Sequence, residues 1–159
     1  GNFLGPLLLG RFFDTIGRRP MIGGTYIVSA ILLTATALVF LGGQTSAATL
    51  TLAWTVVFFF ASAAASSAYL TVSESFPIEV RALAIALFYA AGTALGGVAA
   101  PALFGALIGG GARSAVAHGY FFGAGLMALA GVIQWRWGFA HERRALEEIA
   151  APLSASEPS

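Results

Sequence analysis

An all-α bundle of membrane-spanning helices is the fold this sequence predicts, and three observations predict it. Hydrophobic residues make up 58% of the 159 residues and charged residues only 9%, against about 25% charged in a soluble domain. The charges are clustered, leaving 20–73, 82–112 and 114–135 free of any Asp, Glu, Lys or Arg. Those stretches are continuously apolar and lack the alternation of a membrane barrel strand. In lipid, such a run must satisfy its backbone internally, which leaves the helix.

A helix needs about 20 apolar residues to cross a bilayer. Residues 1–9 (GNFLGPLLL) read as the end of an apolar span already in progress. The sequence begins with Gly1 rather than Met and shows no charged leader, so the chain is expected to be cut at its N-terminus. The stretch before Glu74 is too long for one span and breaks at the polar, turn-prone run Gly42-Gly43-Gln44-Thr45-Ser46. Four full spans follow, at roughly 21–42, 50–72, 82–108 and 118–138. Pro101, inside the third of these, predicts a kink. The transmembrane region is thus 1–138, and 139–159 is a polar tail. Within the tail, 141–149 has the spacing of a short helix and 152–159 the composition of disorder.

Arginine placement gives the orientation. The chain has no Lys. Arg11, Arg18 and Arg19, then Arg81, then Arg136, Arg143 and Arg144 fall on one side if the spans alternate. The other side receives only Arg113. The positive-inside rule makes the arginine-rich side cytoplasmic, together with the C-terminus.

Composition also excludes functions. Net charge is +1, so no field points to a nucleic-acid partner. Cysteine is absent, which removes disulfide frameworks and thiolate metal sites. No span carries a deep ionisable group, a paired carboxylate, a phosphate loop or metal-ligand spacing. His118 reads as an interfacial residue and His141 has no ligand company. Neither an enzyme, a cofactor nor a metal is expected. Gly92/Gly96, Gly105/Gly109, Gly119/Gly123 and the patch Ala63–Ser67 have the spacing of close helix packing.

Two polar stretches carry the most information. In Gly10-Arg11-Phe12-Phe13-Asp14-Thr15-Ile16-Gly17-Arg18-Arg19, an anion precedes a turn glycine and two cations at a membrane surface. A positive-inside anchor would explain the arginines but not Asp14 or the glycines around it. In Glu74-Ser75-Phe76-Pro77-Ile78-Glu79-Val80-Arg81, Pro77 and Glu79 suit the start of a helix. The first stretch, read as a loop over 10–20, resembles the loop motif of the major facilitator superfamily. Gly10, Asp14, Gly17, Arg18 and Arg19 fill its places. The second, read as a loop over 73–81, resembles the Glu-x-Phe-Pro-x-x-x-Arg loop of sugar porters and related metabolite:proton symporters, through Glu74, Phe76, Pro77 and Arg81.

The resemblance implies a register: the end of helix eight followed by helices nine to twelve of a twelve-helix transporter, with the N-terminal half missing upstream. It implies transport of a small organic solute by alternating access in the plasma (inner) membrane, with a coupled proton as an open option. It implies that Asp14, Arg18, Arg19, Glu74 and Arg81 form a cytoplasmic charge network. It also implies that helices ten and eleven face the cavity, which nominates Trp54, Ser62, Ser66, Tyr69, Tyr89 and Thr93 as solute-lining; bundle packing is the alternative for each. Typical sugar porters carry a Gly-Pro-x-x-Trp-like run before the Glu. Here that place reads Ala65-Ser66-Ser67-Ala68-Tyr69, so a carboxylate-type metabolite stands beside a sugar. The rival reading is a stand-alone four-helix membrane protein with a structural or interaction role.

Overall fold

A computed structural model describes residues 1–43 and 45–138. All its regular structure is helical: α1 (Leu4–Thr15), α2 (Arg18–Leu41), α3 (Ala47–Glu74), α4 (Ile78–Gly109) and α5 (Arg113–Trp137). Among the described residues, α2 to α5 are the four helices long and apolar enough to cross a membrane. Each extends beyond the predicted span at its N-terminal end, because polar first-turn residues prolong a helix that hydropathy alone would start later. The tail 139–159 lies outside the described residues.

The connections are short, and each has a local cause. Thr15 and Arg18 are separated by Ile16 and Gly17 alone. Gly17 adopts φ 119° and ψ 141°, a conformation essentially closed to residues with a Cβ. The stretch read as a loop over 10–20 is therefore two helix ends and a two-residue turn. Pro20 falls in the first turn of α2, where its missing N–H costs nothing. At the far end, Gly42 and Gly43 donate to the Leu38 and Phe40 carbonyls, and Ser46 caps α3 by accepting from the Thr49 N–H at 3.1 Å. Ser75, Phe76 and Pro77 join α3 to α4. Arg81, expected in a loop, belongs to the first helical turns of α4.

α2 is the central element. Its longest contact is with α5, then with α3, while α1 lies along α3. In lipid the helices gain packing rather than transfer free energy, so close approach decides. A Cβ at Gly131 would come within 2.9 Å of the Gly23 carbonyl oxygen, and one at Gly23 within 3.1 Å of the Gly131 oxygen. This mutual contact sets the α2–α5 crossing. Phe13 and Ile22 pack on Ala63 and Ala64, so the small-residue patch of α3 receives both α1 and α2. Leu33, Val57 and Ala124 form a second cluster with Trp54 and Tyr120 at its border. Of the glycine pairs read from spacing, Gly119 meets Phe104 and Leu107, and Gly123 meets Leu33. Gly96, Gly105 and Gly109 meet nothing within 4 Å.

α4 differs from its neighbours. None of its residues is buried, and its middle, Thr93–Ala99, is a π-helix. Pro101 follows at once. It offers no N–H to the Gly97 carbonyl and its ring crowds that oxygen. The local disturbance expected of Pro101 takes the form of a π segment on its N-terminal side.

Four buried hydroxyls in the bundle are satisfied inside their own helices. Thr25 donates to the Met21 carbonyl at 2.7 Å, Ser29 to Thr25 at 2.8 Å, Thr36 to Leu32 at 2.8 Å and Thr71 to Ser67 at 2.9 Å. This back-bonding removes the cost of a hydroxyl in lipid without requiring a partner helix.

Candidate functional site: a charge cluster at the arginine-rich end

Five helix ends converge at the arginine-rich side: the ends of α1, α3 and α5 and the starts of α2 and α4. Arg18 opens α2 and Glu74 closes α3. The Arg18 Nη1 group donates to Glu74 Oε2 across 56 residues of sequence. Both side chains are largely withdrawn from solvent, at 13% and 20% exposure. Arg18 Nη2 also lies 3.8 Å from Asp14 Oδ1, on the last turn of α1, whose side chain is 72% exposed. Arg18 thus joins three helix ends through two carboxylates of unequal burial.

The helix ends sharpen the electrostatics. A helix N-terminus carries partial positive charge and a C-terminus partial negative charge. Arg18 is a cation at an N-terminus. Glu74 and Asp14 are anions at C-termini. Each alone opposes its own helix, and the pairing of Arg18 with Glu74 and Asp14 offsets that opposition. Glu79, in the first turn of α4, has the favourable sign.

The other two arginines of the expected network reach backbone instead. Arg19 Nε donates to the Trp135 carbonyl at 2.7 Å and Nη2 to the Arg136 carbonyl at 3.0 Å. It caps the C-terminus of α5, where a cation is favourable. Arg81 turns back on the Phe76 carbonyl, with Nε at 3.4 Å and Nη2 at 3.3 Å. The structure therefore brings Asp14, Arg18 and Glu74 together and engages Arg19 and Arg81 on carbonyls. Gly17 makes the turn that sets Arg18 beside Glu74. Gly10 has open space on its Cβ side.

The six nominated lining residues fall on separate features. Trp54 stacks edge-on against Tyr120 at 5.3 Å between ring centroids and tilts over Phe58 at 5.9 Å. It also borders an open groove with Thr51, Thr55 and Asn2. The buried Ser62 hydroxyl donates to the Asn2 carbonyl at 3.3 Å. Ser66 lines a narrow crevice of about 190 Å³ that Asp14 and Arg18 also border. Tyr69 packs on Phe88 and Tyr89. Tyr89 and Thr93 lie on the exposed surface of α4. Tyr120 is the hub the sequence reading missed, touching Phe40, Trp54 and Phe104. Nothing in its local sequence separates it from other interfacial aromatics. Among the described residues, no group of three His, Asp or Glu side chains could hold a metal ion.

No curated protein and no solved structure matches the chain significantly. The family model described as Major Facilitator Superfamily matches residues 1–156. With four apolar membrane-length helices and almost the whole sequence inside that match, the chain is a multi-pass integral membrane protein that belongs to the Major Facilitator Superfamily of membrane transporters.

Proposed function

We propose that this chain supplies the end of helix eight and helices nine to twelve of an alternating-access transporter for a small organic solute, a sugar or a carboxylate-type metabolite. Its missing partner is the N-terminal half of the same polypeptide. The arginine-rich end faces the cytoplasm of the plasma membrane, with the C-terminal tail on that side. The observation that carries the reading is the Arg18–Glu74 ion pair, which links the two polar motifs at one end of the bundle. Asp14, Arg18 and Glu74 act as a latch that holds the cytoplasmic side closed while the cavity is open outward. Gly17 shapes the turn that presents Arg18. Arg19 holds α5 to the start of α2, and Arg81 fixes the α3–α4 corner. Trp54, Ser62, Ser66, Tyr69, Tyr89 and Thr93 remain proposed solute-lining positions, on the helices that the register assigns to the cavity. Proton coupling, where present, is supplied by ionisable groups of the other helices or by Glu74.

The latch is tested in the full-length transporter by cysteine accessibility from each side of the membrane. Glu74→Gln is expected to raise labelling of cytoplasmic-cavity positions at the expense of external ones. Unchanged labelling on both sides would end the latch assignment.

A further inference from the structure

Between α2 and α5 the surface holds an open groove of about 390 Å³, on the far side of the Gly23–Gly131 contact from the arginine-rich end. Ile27, Ala30 and Thr34 of α2 form one wall, and Phe121, Gly125 and Ala128 of α5 the other. The Thr34 hydroxyl donates to the Ala30 carbonyl at 2.8 Å, so the walls present hydrocarbon and no unmet polar group. A Cβ at Gly125 would meet nothing within 4 Å, which leaves the floor open. Empty space against such walls forfeits dispersion contacts, and in a bilayer the group at hand to fill it is an acyl chain.

The register of both helices leads from this groove to a cation. Ile27, Ala30 and Thr34 lie about two, three and four turns beyond Arg19 on α2. Ala128, Gly125 and Phe121 lie the same steps before Arg136 on α5. Both arginines therefore stand on the helix faces that line the groove. Arg136 is exposed in the last turn of α5. Arg19 holds the Trp135 and Arg136 carbonyls through Nε and Nη2. Its guanidinium thus reaches the same helix end and keeps the Nη1 side of the fork for an anion. Trp135 and Trp137 flank Arg136 and are exposed, as aromatics at a membrane interface are. The depth agrees as well. Thr34 lies about 22 Å along α2 from Arg19, and half a bilayer with its headgroups measures about 20–22 Å. A phospholipid with its phosphate at the arginines ends its chain at the far end of the groove.

We propose that the α2–α5 groove is a binding site for an anionic phospholipid, with its phosphate on Arg19 and Arg136 and one acyl chain between Ile27 and Phe121. The leaflet rests on the orientation given above, which makes it cytoplasmic. The site itself depends neither on transport nor on the latch.

Native mass spectrometry of the full-length transporter, titrated with dioleoylphosphatidylglycerol or dioleoylphosphatidylcholine, reads the affinity of the first bound lipid. The two have identical chains, so the comparison isolates headgroup charge. The anionic lipid is expected to bind more tightly. Arg136→Gln should weaken it about five-fold, the effect of one arginine at a lipid surface, with a smaller change for the zwitterionic lipid. Gly125→Leu, which fills the groove, should weaken both lipids alike. Arg11→Gln, on α1 at the same end of the bundle, should change neither. Equal binding of the two lipids, or an anionic affinity that Arg136→Gln leaves unchanged, overturns the proposal. Anionic binding that ignores Gly125→Leu overturns it as well, because the lipid then sits elsewhere. A dimer that Gly125→Leu dissociates, with no lipid preference, would assign the groove to a second copy and overturn it too. Arg136 is exposed, so its variant keeps the test decisive even where Gly125→Leu fails to fold.

Discussion

Neutralising both members of the Arg18–Glu74 pair should cost less than neutralising either alone. The reasoning starts from position. Arg18 stands at the positive end of α2 and Glu74 at the negative end of α3. Each therefore opposes its own helix by about 0.3–1 kcal/mol when unpaired. Together they form a charge-assisted hydrogen bond worth about 1.5–3 kcal/mol at their degree of burial, between the exposed and fully buried limits. Arg18→Gln or Glu74→Gln loses the bond and leaves one charge at the unfavourable helix end, with Asp14 still beside Arg18 in the second variant, while relieving the other end. Each single change should cost about 1–2.5 kcal/mol on that balance. The double change loses the bond once and relieves both ends, for a net cost of about 0–2 kcal/mol instead of the ~2–5 kcal/mol that addition would give. Steric-trapping unfolding of the four variants in detergent micelles measures the coupling directly. High salt should weaken it only modestly, because both side chains are mostly shielded. Additive losses, or a double variant less stable than both singles, would refute the pairing argument.

Three further outcomes follow from particular contacts. Gly131→Ala should destabilise the bundle by about 1–3 kcal/mol through overpacking on Gly23 and Ile27, whereas Gly10→Ala should be neutral or stabilising, both read from thermal melting in detergent. Arg19→Gln should cost about 1 kcal/mol and speed amide exchange in the last turn of α5, where its carbonyl contacts are lost, without altering the Arg18–Glu74 coupling. Trp54→Ala should lower stability by about 1–3 kcal/mol through its lost stack on Tyr120; a changed apparent solute affinity at unchanged stability would show instead that Trp54 touches the solute.

How far the sequence reached depended on the kind of signal. Charge-free runs located the four spans because lipid tolerates little else, and the helical class followed from the same constraint. Boundaries fell short at Arg18 and Ile78 because hydropathy is blind to polar first turns. The close-packing glycines are only partly legible for a related reason: Gly119 and Gly123 do meet neighbouring helices, while Gly96, Gly105 and Gly109 do not. Spacing picks out pairs within one helix, such as Gly105/Gly109, yet the decisive contact joins Gly23 and Gly131, each without a glycine four residues away. Partner choice is a three-dimensional property. At the candidate site, the convergence of Asp14, Arg18 and Glu74 was expected from motif resemblance. The carbonyl contacts of Arg19 and Arg81 were not, since no sequence pattern encodes which backbone oxygen a guanidinium will find. The π segment of α4 was visible only as Pro101, because a proline signals a disturbance without stating its form.

The hydroxyls that bond within their own helices have a mechanical consequence. Among the described residues, the side-chain hydrogen bonds and ion pairs that cross between helices gather at the arginine-rich end, with the single exception of Ser62 on Asn2. Apart from Ser62 on Asn2, the middle of the bundle is held by surface fit. Sliding α2 past α3 or α5 there breaks no side-chain hydrogen bond among the described residues, so the interior resembles a greased bearing fastened at one rim. The resistance to rearrangement is concentrated where water, ions and a single changed charge can reach it.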